Sequence, residues 1–180
     1  MGRFDVEDFV RVESALAPTF SPDGLRIAYG NTVRNTLHLL ERASRTAEWQ
    51  GPTRLAGVTG WGARWSPDGS QLTFNLRGDT LGIVVLPLGG SPRTIVPGEG
   101  TWPAWAPDGS SIYFSSADTN NVRGVYRVPA TGGLPQLVVR FDVPRLRPYA
   151  GGVTSLGNGL IYFVLIELES DIYVMELVRK

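Results

Sequence analysis

The apolar positions of this 180-residue chain fall in short alternating stretches divided by glycine, proline and small polar residues. "SSIYFSS" (110–116), "GVYRVPA" (124–130) and "LPQLVVRF" (134–141) carry β-branched or aromatic residues with the period of two that marks a half-buried strand. With the short "PAW" (103–105) they predict a four-stranded antiparallel meander, turned by "APDG", "ADTNN" and "TGG". The same succession precedes it twice, as "GARW", "SQLTFNL", "TLGIVVLPL", "PRTIVPG" and as "APTF", "LRIAYGN", "TLHLLERA", "PTRLAG". A last copy, "GVTS", "LIYFVLIEL" and "DIYVMELV", stops without a fourth strand. Only Val6 to Leu16 reads as a short helix, and it reads equally well as an edge strand.

Each of the three full copies opens on the same corner: "FSPDG" at 20–24, "WSPDG" at 65–69 and "WAPDG" at 105–109. Pro22, Pro67 and Pro107 preset φ at the first turn position. Asp23, Asp68 and Asp108 bond their own backbone, and Gly24, Gly69 and Gly109 accept positive φ. The aromatic markers Phe20, Trp65 and Trp105 lie 45 and 40 residues apart, the period of four-stranded propeller blades. Double glycines at 89–90 and 132–133 fall between third and fourth strands in two copies. The expected fold is all-β: a β-propeller with three complete antiparallel blades and part of a fourth, an incomplete ring. The chain divides into a lead-in segment (1–16), blades at 17–57, 58–98 and 99–142, and a partial blade at 143–180, all in one propeller domain.

Composition narrows the functions. Seventeen basic residues balance seventeen acidic ones, so no global field favours nucleic acid or anionic lipid, and neither is expected as a partner. There is no cysteine, which removes disulfides, thiolate metal sites and cysteine nucleophiles. The start lacks the basic end and apolar core of a signal peptide. "LIYFVLI" (160–166) is far shorter than the roughly 20 residues that span a bilayer. A cytoplasmic home is expected, with a periplasmic one open if a leader has been removed.

The phrase "[FW]-[SA]-P-D-G", followed by "IAY", "LTF" and "IYF", resembles the repeat of TolB-like propellers and of the propeller in the prolyl oligopeptidase family and its dipeptidyl-peptidase relatives. The opening "DVEDFVRVESALAPTFSPDGLRIAY" is similar to the segment leading into the first blade of such peptidases. The resemblance implies a substrate-gating propeller beside an α/β-hydrolase domain with a Ser-Asp-His triad. No G-x-S-x-G elbow occurs in this chain. The module is therefore expected to be non-catalytic, the front part of a larger peptidase. The alternatives are a standalone TolB-like propeller that binds a protein or peptide, with two copies pairing edge to edge, and a propeller lactonase or glycosidase.

Candidate chemistry is sparse. His38 is the only histidine, and with no second ligand it reads as a packed residue. The glycine-rich "GVTGWG" and "GGVTSLGNGL" match no phosphate loop, and no metal or cofactor is expected. The lactonase reading needs converging carboxylates, amides or imidazoles on the first strands, which supply none. "RGD" (77–79) reads as a polar hairpin tip, and "RFDVPRLRPY" (140–149) as a solvated connector. Trp65, Trp105, Phe74, Tyr113 and Phe114 are expected to fill the space between blades. Trp61 and Trp102, just before first strands, read either as packing against a neighbouring blade, the favoured reading, or, with Arg64, as the candidate binding lip for a peptide or protein.

Overall fold

A computed structural model describes residues 14–77, 80–117, 120, 123–141, 147–155, 160–166 and 170–176. The side chains of 56–58, 147–155, 164–166 and 170–176 are not described. The strands are β1 (Ala15–Phe20), β2 (Arg26–Asn31), β3 (Thr36–Glu41), β4 (Gln50–Trp65), β5 (Gln71–Leu76), β6 (Gly82–Pro87) and β7 (Arg93–Pro97). They continue as β8 (Thr101–Trp105), β9 (Ser111–Ala117), β10 (Arg123–Pro129), β11 (Gln136–Arg140), β12 (Arg147–Ser155), β13 (Leu160–Ile166) and β14 (Ser170–Glu176). No helix occurs among the described residues, and every pairing is antiparallel.

The third and fourth meanders are separate sheets, β11-β10-β9-β8 and β12-β13-β14. The first two are joined. The sequence predicts an outer strand "PTRLAG" and an inner strand "GARW" with a connector between them, whereas the structure runs one strand, β4, through both. Its first part pairs β3 at Gln50, Thr53 and Arg54, and its last part pairs β5 from Gly60 to Trp65. No proline interrupts 53–65, so nothing in that stretch removes a ladder donor. Val6 to Ser14 falls almost wholly outside the described residues, and Ala15 and Leu16 are already strand.

Register shows that the copies are equivalent. Phe20 opposes Ile27, Trp65 opposes Leu72, Trp105 opposes Ile112, and Ser155 opposes Ile161. The core lies between meanders. Ala28, Leu37 and Leu39 of the first pack on Trp65, Leu72, Phe74, Val84 and Leu86 of the second. Ile83, Val85, Ile95 and Val96, on the second meander's other face, meet Trp105, Ile112, Phe114, Tyr126 and Val128 of the third. Ala104, Val125 and Val139 then meet Ile161 and Phe163 of the fourth. A strand alternates its side chains between two faces, so each central meander serves two interfaces. The arrangement is that of propeller blades in an unclosed ring.

Candidate functional site

The corners set the frame. In all three, the glycine amide donates to the carbonyl three residues earlier, at 2.9 Å: Gly24 to Ser21, Gly69 to Ser66 and Gly109 to Ala106. The glycines hold φ of 72°, 69° and 72°. The Asp carboxylates accept the amides of Leu25, Ser70 and Ser110 at 2.9, 3.0 and 2.9 Å. Ser66 Oγ donates to Asp68 Oδ1 at 2.6 Å, and Ser21 does the same for Asp23. The Ser66 hydroxyl is the main reason the Asp68 carboxyl is held down at about 2. Asp23 is lowered by Ser21 above all, and Asp108 by the Ser110 amide. These carboxylates spend their lone pairs on their own turns. Among the described residues no three His, Cys, Asp or Glu side chains gather as metal ligands.

The other end of each inner strand carries a second repeated device. Three residues before each aromatic, Ala17, Gly62 and Trp102 adopt φ of 48°, 68° and 55°. The ladder slips there in each case, between Leu16 and Thr19, Trp61 and Arg64, and Thr101 and Ala104. These are bulges, which twist a strand and re-aim its side chains. Only Gly62 takes that conformation without steric cost. Trp102 bears it as a bulky residue held by its surroundings.

Those surroundings bring two of the sequence-predicted lip residues together. The Trp61 and Trp102 rings meet edge to face, 4.5 Å between centroids and 80° between planes, a favourable quadrupolar arrangement. Both rings are half-buried. Asn75 fixes the backbone beneath them. It is 3% exposed, its Nδ2 donates to Gly100 O at 2.7 Å, and its Oδ1 accepts the Trp102 amide at 3.0 Å. Sequence reasoning missed Asn75, although an amide inside the apolar strand "QLTFNL" was the available signal. A buried amide must find partners.

Arg64 is placed differently. Its guanidinium donates to the Ala63 carbonyl at 3.0 Å, and burial pushes its pKa below the usual arginine value. Its own carbonyl accepts the indole N–H of Trp105 at 3.2 Å. Trp65 donates in the same way to Thr19 O at 3.0 Å. Each indole thus reaches the residue that precedes the equivalent aromatic in the previous meander. None of these contacts joins Arg64 to the tryptophan pair.

Beside the pair, between the second and third meanders, a cleft of about 340 Å³ opens on the face away from the corners. Trp61, Leu76, Leu81, Gly100, Glu99 and Arg123 are among its lining residues. His38 lies elsewhere, stacked on Tyr29 at 5.5 Å and 22°, with Nε2 bonded to Thr36 Oγ1 at 2.9 Å. Burial and the Arg34 and Arg54 charges push its pKa down. It stands at the register position of Val84 and Tyr126, and its Nδ1 is buried without a hydrogen-bond partner among the described residues. Phe74 and Phe114 are fully buried and Tyr113 is partly buried against the third cluster. The Arg77 amide donates to Thr59 O at 3.1 Å. Gly78, Asp79 and residues 142–146 of the 140–149 connector fall outside the described residues.

No protein family profile matches the chain. Over 120 residues it is 32% identical to a curated Bacillus subtilis protein described as the uncharacterized peptidase YuxL, an alignment covering 59% of this chain and 18% of that one. The chain thus spans under a fifth of that relative's length. Among solved structures it superposes on a TolB protein from Agrobacterium tumefaciens (TM-score 0.66, 20% identity, 89% of this chain and 57% of that one). A prolyl endopeptidase gives TM-score 0.62 at 15% identity, over 91% of this chain and 28% of that one. The β-propeller domain of a Myceliophthora Cps50 (Swd1) gives 0.57 at 16%, over 91% and 54%. These likenesses establish the propeller fold, of the kind found in TolB and prolyl endopeptidases. No helix among the described residues is long and apolar enough to cross a membrane.

Proposed function

We propose that the chain is a non-catalytic binding and gating module, the propeller segment of a prolyl-oligopeptidase-like serine peptidase whose hydrolase domain lies elsewhere in the parent protein. The observation that carries this reading is the 32% identity, over 120 residues, to a protein described as a peptidase. The physics agrees with a passive role. The corner carboxylates are committed to their turns, and the single histidine is stacked on Tyr29 and bonded to Thr36. Sheets packed face to face through large buried side chains form a stiff wall. A ring of such walls admits a narrow extended peptide and turns a folded protein away. Trp61 and Trp102, with Arg64 nearby in the strand, are the residues assigned to hold a peptide at the lip. The lack of cysteine suits a cytoplasmic home, and the mechanism would serve equally in a periplasm.

The genomic sequence that follows the codon for Lys180 tests this. An in-frame α/β-hydrolase domain with a G-x-S-x-G elbow is expected, and a stop codon with no hydrolase sequence would overturn the peptidase version.

A second reading, a standalone interaction propeller whose ring is closed by another copy pairing edge to edge, is favoured by one observation. Phe20, equivalent to Trp65 and Trp105, is covered by no meander among the described residues and is 61% exposed. Sedimentation would show a concentration-dependent dimer. A monomer at high concentration removes this reading.

A further inference from the structure

The cleft between the second and third meanders has free groups that the fold does not use. Two of its inner polar side chains are committed: Asn75 to the backbone of residues 100 and 102, and Ser116 Oγ to Glu99 O at 2.6 Å. Gly100 on the floor is fixed by packing, since a Cβ there would come within 3.0 Å of Ile83 Cδ1. The remaining hooks lie at the rim. Leu81 is 57% exposed, Trp61 presents a half-buried indole, and Glu99 and Arg123 are exposed. The one ion pair among the described residues joins Arg26 to Asp23, and no described side chain forms an ion pair with Glu99 or Arg123. A volume of about 340 Å³ lies at the lower end of the range for ligand pockets.

An apolar wall bounded by one free carboxylate and one free guanidinium matches a ligand with an apolar body and opposite charges flanking it. We infer that this cleft is a peptide subsite, set between meanders rather than on the ring axis, that takes a short apolar stretch of extended peptide flanked by a basic and an acidic side chain. The apolar side chains rest on Leu81 and Trp61. The basic one pairs with Glu99 and the acidic one with Arg123, which fixes the direction in which the peptide lies. The inference rests on the reading that extended peptides are the ligands.

The test uses the 180-residue chain and two blocked hexapeptides, acetylated and amidated at their ends. Each has an apolar centre of two leucines. One carries lysine before and glutamate after the leucines, and the other the reverse. Titration followed by tryptophan fluorescence is expected to favour one charge order by several-fold. Leu81→Asp, at an exposed position, should weaken the preferred peptide at least tenfold. Glu99→Lys combined with Arg123→Glu should reverse the order preference, an effect that mere loss of stability would not produce. Equal affinities for both orders, or unchanged affinity in Leu81→Asp and the double variant, would overturn the subsite and leave peptide binding elsewhere intact. Failure of both peptides, and of longer unfolded ones, to bind at all would remove the gating reading together with the subsite.

Discussion

The first and third meanders begin with the same corner, yet the aromatic residue at that corner has opposite fates. Trp105 is buried, packs among Ile83, Val85 and Ile95, and donates its indole N–H to Arg64 O. Phe20, at the same register, is 61% exposed and has no N–H to donate. Its one ring neighbour among the described residues is Trp49, 6.2 Å away and tilted by 58°. The corner therefore does not need the aromatic to be buried, since the glycine–carbonyl bond and the carboxylate–amide bond of the turn are the same in both places. The aromatic serves the joint between meanders and becomes structural only where a preceding meander exists.

The largest effect should come from removing that joint. Trp105→Ala is expected to cost about 3–5 kcal/mol in urea unfolding, as buried aromatic truncations do. A cost near zero would break the comparison. Next is Asn75→Leu, which leaves the Gly100 carbonyl and the Trp102 amide without their partner. At about 1–3 kcal/mol for each unsatisfied group, thermal melting should fall by several degrees. Smaller still is Trp105→Phe, which makes the third meander resemble the first. It keeps most of the packing, loses one bond to a carbonyl, and should cost about 1 kcal/mol.

The corners themselves supply a finer contrast. Ser66 Oγ bonds Asp68, donates to Gln71 O at 3.2 Å and accepts the Gln71 amide at 2.9 Å. Ala106, at the same place in the third meander, makes none of these. Asp68 therefore depends on a hydroxyl that Asp108 lacks. The lowered carboxyls favour the folded state fully above the ordinary aspartate value and lose that contribution as pH falls, for Asp68 through about 2. In Ser66→Ala, carboxyl titration by NMR should show Asp68 moving up toward the ordinary value while Asp108 stays in place. No movement of Asp68 would mean that the Ser70 amide, not the Ser66 hydroxyl, governs it. The smallest effect is expected for Phe20→Ala, under about 0.5 kcal/mol, the scale of an exposed substitution.

The corners were legible because Pro-Asp-Gly imposes one backbone path wherever it occurs, and strand alternation supplied the rest of each meander. The continuity of β4 was not, because its outer and inner parts pair with different partners and glycines at 57, 60 and 62 read as a connector. The repeated bulge was hidden for a different reason. Ala17, Gly62 and Trp102 share one left-handed conformation but no side-chain chemistry, so only the glycine announces it. Trp61 and Trp102 were legible as a pair flanking first strands, but their edge-to-face contact depends on that bulge. Leu81, Glu99 and Arg123 gave no signal, since they meet only through packing of meanders whose contacts span up to 42 residues of sequence.

Because β4 passes from one meander into the next as a single unbroken ribbon, the first pair has no flexible joint about which to pivot. The first place along the chain where the wall can flex is the short passage from Gly98 to Gly100, clasped by the Asn75 amide. Separating the second meander from the third at this point breaks the Asn75 bonds to Gly100 and Trp102, so the width of the neighbouring cleft is tied to that one amide.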